Sequence, residues 1–275
     1  MPHYPSHLID QLFTNIDADD EINLNIALPE QINFACTEKE RADCYFLSLQ
    51  MLRDYVDRRE FRALIAAIIR QRSASKAQIA AFRRARSCFK HIRYSCANFD
   101  ARHRYPRPLH KLTALMGDFQ DAVINGQKLK TLTLGIKLWL KLSASSYRKL
   151  LADMADYHRD SDRDYYGYLT RENASLAEYL QREPLSGTGN ELHNLRKIIS
   201  RRVALNDTLR VFRPSDQADA TSLWLATLNG VLGDLHDKLV AETLAGKRNY
   251  KSDIYTPEPM IAARCRLFLT RQKPL

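Results

Sequence analysis

The segment Gly117-Asp118-Phe119-Gln120-Asp121-Ala122-Val123 returns 116 positions later as Gly233-Asp234-Leu235-His236-Asp237-Lys238-Leu239. Each copy follows a long basic stretch whose apolar residues keep helical spacing. A repeat at fixed distance restricts the fold more than any single propensity, because both copies must build the same supersecondary unit. It sets two halves, 37–150 and 151–271, after an N-terminal arm at 1–36 that is short on periodicity and has room for a short early helix.

Proline is missing from 30–105 and from 109–183, which permits long helices there. Cys44, Leu47, Met51, Leu52 and Tyr55, then Leu64, Ile65, Ile68 and Ile69, recur with a period near 3.6. Thr37-x-x-Glu40 and Thr188-x-x-Glu191 read as capping boxes. Thr256-Pro257 reads as an N-cap followed by proline at the first helical position. Helices are expected at 38–58, 60–72, 76–97, 108–125, 127–142, 146–168, 172–182, 189–212, 217–244 and 257–271. No segment alternates as a strand would. The expected fold class is all-α, with two pseudo-symmetric bundles around a basic groove. Either half alone would expose an apolar face, so 37–271 is expected to pack as one domain.

No apolar run approaches the ~20 residues that span a bilayer, and Met1-Pro2-His3-Tyr4-Pro5 lacks the features of a signal peptide. The expectation is a cytoplasmic protein with no membrane partner. Five cysteines without CxxC spacing argue against a disulfide framework or structural zinc, and for small core residues. Trp139 and Trp224 lie in apolar helical runs and are expected in the core.

The net charge of +10 is unevenly spread. Residues 60–111 hold thirteen Lys and Arg against two acids, and 188–213 hold six against two. The intervening 153–191 carries nine acids and four bases. Arg83, Arg86, Lys90 and Arg93 line one helical face, flanked by Lys76 and Arg84, and His193, Arg196, Lys197 and Arg201 follow a similar path. Like charges along one face cost a few tenths of a kcal/mol per pair, and a purely structural helix would interleave acids. The missing counter-charges point to an extended external anion. Ser186-Gly187-Thr188-Gly189, leading into a helix N-terminus, adds a weak phosphate signal.

His193-x-x-Arg196-Lys197-x-x-x-Arg201 followed by Leu232-Gly233-Asp234-Leu235-His236-Asp237 resembles the CHAD (conserved histidine α-helical) domain family, over roughly 37–271. In the first half, Lys90-His91-Ile92-Arg93-Tyr94 is similar to the family's K-R-x-R-Y run. The sequence departs from the pattern at Arg83, Ser200, Val203, Ala204, Gln120 and His236. The resemblance implies a basic central groove that binds inorganic polyphosphate without catalysis, and association with polyphosphate granules. Polyphosphate is then expected on Lys76, Arg83, Arg84, Arg86, Lys90, Arg93, His193, Arg196, Lys197 and Arg201. Asp121, His236 and Asp237 are expected to orient those groups.

No GxSxG elbow or HExxH helix occurs, and no cofactor or metal is expected. Asp160-x-Asp162-x-Asp164 lacks the glycine and closing glutamate of a calcium loop and reads as a solvated helix end. The alternative is a helical protein binding RNA or single-stranded DNA, for which Tyr94, Tyr105, Tyr165 and Tyr166 would have to stack on bases. A metal-dependent phosphohydrolase using Asp118, Asp121, Asp234 and Asp237 is the remotest reading.

Overall fold

The computed structural model describes residues 2–17 and 22–273. Met1 and residues 18–21 of the expected arm lie outside the described residues. Eleven α-helices are found among them: α1 (Ser6–Asp17), α2 (Glu38–Tyr55), α3 (Arg58–Gln71), α4 (Lys76–Asn98), α5 (Arg107–Ile124), α6 (Lys128–Lys141), α7 (Ala144–Ala155), α8 (Asp162–Tyr179), α9 (Gly189–Phe212), α10 (Asp216–Leu244) and α11 (Pro259–Arg271). Extended pairing among the described residues is confined to two isolated bridges, Ile32 with Gln272 and Gly187 with Tyr255. The chain is all-α.

It divides into two compact units, the first formed by residues up to Phe13 with Glu38–Asp160, the second by Thr14–Thr37 with Ser161–Leu275. In the first unit α4 packs against α2, α3 and α5, and α6 lies against α3 and α5. Ser75 and Gln78 open α4 with a reciprocal capping box, each side chain accepting from the other's backbone N–H. An aromatic ladder runs from Phe61 of α3 through Phe82 of α4 to Phe119 of α5, with ring centroids 5.4 Å apart at each step. Gly135 lets α6 approach closely, since a β-carbon there would lie 2.5 Å from Ile69 Cγ1 and 2.9 Å from Phe119 Cε2.

The same unit holds a buried polar network. Arg41 and Asp160 are both 0 % exposed, and Arg41 donates from Nη2 to the Asp160 carbonyl oxygen at 2.7 Å. Arg41 Nε lies 3.8 Å and His103 Nε2 3.3 Å from the Asp160 carboxylate. This corrects the expected helices at 146–168 and 172–182, which are α7 and a single α8. The chain leaves helix after Ala155 so that Asp160 can turn inward, and Ser161 then caps α8 by accepting from Asp164 N–H. Only Asp162 and Asp164 of the acidic triplet are exposed.

In the second unit α9 packs along α10, with α8 and α11 alongside. Trp224 is 2 % exposed and stacks on Phe268 at 6.4 Å. Arg202 is wholly buried, donating to the Leu169 carbonyl oxygen at 3.1 Å, and desolvation lowers its pKa. The last helix begins at Pro259 rather than Pro257, with Glu258 as its N-cap. All five cysteines are buried and none is in a disulfide, and burial pushes the thiols of Cys88, Cys96 and Cys265 up to about 12.

Candidate functional site

The structure aims each basic helix at the glycine of a GD-x-x-D segment. In the first unit Arg86 of α4 reaches Gly117 of α5: a β-carbon on that glycine would stand 3.0 Å from Arg86 Nη2. Two turns further along α4 and one turn back along α5, Arg93 Nη1 donates to Thr113 Oγ1 at 3.0 Å, and its guanidinium lies 4.9 Å and 4.8 Å from the ring centroids of Tyr94 and Tyr105. Lys90 sits half-buried between them in sequence, and Lys76 and Arg83 are exposed. Arg84 departs from this row. It lies 5.0 Å over the ring of Phe13, in a cavity of about 410 Å³ that Tyr55, Glu60 and Cys88 also line.

In the second unit Arg196 of α9 approaches Gly233 of α10 in the same way, 2.8 Å from the β-carbon position. One turn on, Ser200 Oγ donates to Asn229 Oδ1 at 2.6 Å. His193 stacks on His236 with centroids 4.8 Å apart, and the Tyr250 hydroxyl is 2.8 Å from His236 Nδ1. Burial lowers the His236 pKa, the Arg196 charge lowers it further, and Asp237 opposes both while Lys197 adds to them. A neutral imidazole accepting from the phenol carries its proton on Nε2, as a donor to an approaching anion. Tyr250 is steered there by a small apolar cluster of Leu192, Leu239 and Tyr255, against which Leu235 and Tyr250 pack.

The other expected site residues are placed less uniformly. Lys197 Nζ donates to Asn194 Oδ1 at 3.1 Å. Arg201 is closely paired with Glu172 at 2.6 Å, both largely buried, so its charge is already answered within the chain. Asp118, Asp121, Asp234 and Asp237 are exposed.

The glycine-rich entry to α9 is spent internally. Gly187 and Gly189 donate to the carbonyl oxygens of Tyr255 and Tyr250, and the Tyr250 ring lies against Gly189. Thr188 accepts from Glu191 N–H, and the Glu191 carboxylate accepts from Thr188 N–H at 2.8 Å and from Arg182 at 2.7 Å. Those bonds hold the Glu191 pKa at about 2. A carboxylate thus occupies the place where the sequence suggested phosphate.

Sequence reasoning missed Tyr250, Asn229 and Glu172. Glu172 stands 29 positions before its partner Arg201, and Tyr250 sits in a loop without periodicity, so no local pattern marks either. Among the described residues no three His, Cys, Asp or Glu side chains are grouped to hold a metal ion. No family model, curated protein or solved structure matches the chain.

Proposed function

We propose that the chain binds inorganic polyphosphate without turning it over, through the cationic faces of α4 and α9. On this proposal it is a CHAD-like protein of two pseudo-symmetric halves, each offering one such helix, and granule association is the cellular setting. The carrying observation is the recurrence of one contact: Arg86 over Gly117 and Arg196 over Gly233. In both places the missing side chain leaves room for a guanidinium beside the motif. Arginine so held can form paired, charge-assisted hydrogen bonds with phosphoryl oxygens, at less entropic cost than a free side chain.

The aromatic residues that a nucleic-acid reading requires are engaged elsewhere. Tyr94 and Tyr165 are buried, Tyr105 stacks on His110 at 5.6 Å, and the half-buried Tyr166 packs edge-on against Tyr165 at 5.3 Å. This favours a polymer that offers only phosphate.

The test is retention on long-chain polyphosphate across a salt series, competed with single-stranded RNA of equal phosphate content. Retention should fall steeply with salt, as counterion release demands, and rise with polymer length. Retention indifferent to both, or RNA competing on equal terms, would overturn the proposal.

A further inference from the structure

Helix α6 carries an apolar stripe on the side turned away from its own core contacts. Thr131, Gly135 and Leu138 are its buried residues. At 100° per residue, Leu129, Ile136 and Leu140 fall opposite them. They are 72 %, 45 % and 57 % exposed. Trp139, expected in the core, is instead 37 % exposed at the edge of this stripe. Its ring is covered by Arg62, whose guanidinium lies 3.8 Å from the ring centroid and donates to the Trp139 carbonyl oxygen at 3.3 Å. The cause is simple: α6 has apolar residues on more than one side, and α3 and α5 can cover only one of them.

The flank away from Trp139 is cationic. Lys130, Lys137 and Lys141 form one row, all exposed, and the sequence holds no acid between Asp121 and Asp153. Apolar ridge, lysine row and rim tryptophan together make an amphipathic helix of the type that lies in a membrane interface. We propose that α6 docks on the surface of an anionic lipid bilayer, with Leu129, Ile136 and Leu140 in the acyl boundary and the lysines at the headgroups. Charge complementarity selects this occupant. A second copy would set this acid-free, lysine-bearing helix against another of the same charge, whereas an anionic leaflet attracts each lysine. The stripe is also a ridge on the outer side of a helix, suited to a plane. No helix among the described residues is long and apolar enough to cross a membrane, so the contact is peripheral.

The experiment uses the whole chain with phosphatidylcholine vesicles, with and without phosphatidylglycerol, read by co-sedimentation and by tryptophan emission. The chain has two tryptophans and Trp224 is buried, so a shift to shorter wavelength that vanishes in Trp139→Phe reports α6 itself. Binding and shift are expected only with the anionic vesicles. The triple variant Leu129→Ser, Ile136→Ser, Leu140→Ser should keep its helical circular dichroism and bind vesicles at least about tenfold more weakly. Its polyphosphate retention should be unchanged, which keeps this result separate from the fate of the polyphosphate reading. Absence of binding to anionic vesicles would overturn the inference. So would sedimentation without a Trp139 shift and unaffected by the triple variant, which would mean attraction through another basic face. Capture by an acidic amphipathic peptide with vesicles ignored would assign the ridge to a protein partner and equally overturn it.

Discussion

Arg196 lies so close over Gly233 that a β-carbon on the glycine would come within 2.8 Å of its Nη2. Gly233 is interior to α10, where alanine is favoured over glycine by about 1 kcal/mol. The obstructed atom is the end of a flexible side chain, which can move aside cheaply. Gly233→Ala should therefore unfold at equal or slightly higher denaturant concentration, yet bind polyphosphate several-fold more weakly. Gly117→Ala should act likewise through Arg86. Paired denaturation and binding curves check this, and unchanged affinity in both variants would leave the arginines without their proposed part.

Binding should depend on pH through His236. Its folded pKa is lowered by burial and by Arg196, so folding favours the neutral ring. Stability from this source is present above the ordinary imidazole pKa of about 6.5 and is lost as pH falls toward the lowered value. A polyanion stabilises the charged ring, so affinity should rise over the same fall in pH. His236→Gln should flatten that part of the affinity profile, measured by titration calorimetry between pH 5 and 8, a range set by ordinary imidazole titration.

The buried pair in the first unit predicts a stability effect unconnected with binding. Arg41→Ala strands the fully buried Asp160 carboxylate beside His103 and should cost about 3–5 kcal/mol. Arg41→Met combined with Asp160→Asn should recover much of that loss. Urea denaturation of the single and double variants gives the coupling directly.

Glu191→Ala removes one arm of the α9 capping box and the partner of Arg182. A loss of about 1 kcal/mol is expected. The wild-type carboxylate, held at about 2 against an ordinary 4.5, lends stability fully above that ordinary value and loses it as pH falls toward 2. The variant should lack this acid-sensitive component, which thermal melts between neutral and acid pH can resolve.

Helix existence and most helix ends were legible in the sequence because they are local. The Thr188-x-x-Glu191 box opens α9 as expected, and the absence of proline allowed the long α2 to α4 run. What failed was tertiary. Asp160 resembled its exposed neighbours Asp162 and Asp164, and it is Arg41, 119 positions away, together with His103 that meets it inside. Trp139 matched a buried tryptophan because α6 has apolar residues on more than one side, and periodicity does not reveal which side a neighbour covers. The arginine stripe was readable at Arg86 and Arg93, whose spacing survives in shared contacts with α5. Arg201 shared that register, but Glu172 came from another helix to meet it.

The sheltered sulfhydryls have a practical consequence. Cys44, Cys88 and Cys96 belong to the first unit, Cys36 and Cys265 to the second, and all are enclosed. Since only an exposed thiolate reacts with an alkylating reagent, native protein should be nearly inert to one. Each modification event then records a transient opening, and mapping the modified peptides gives a separate breathing rate for each unit without any engineered probe.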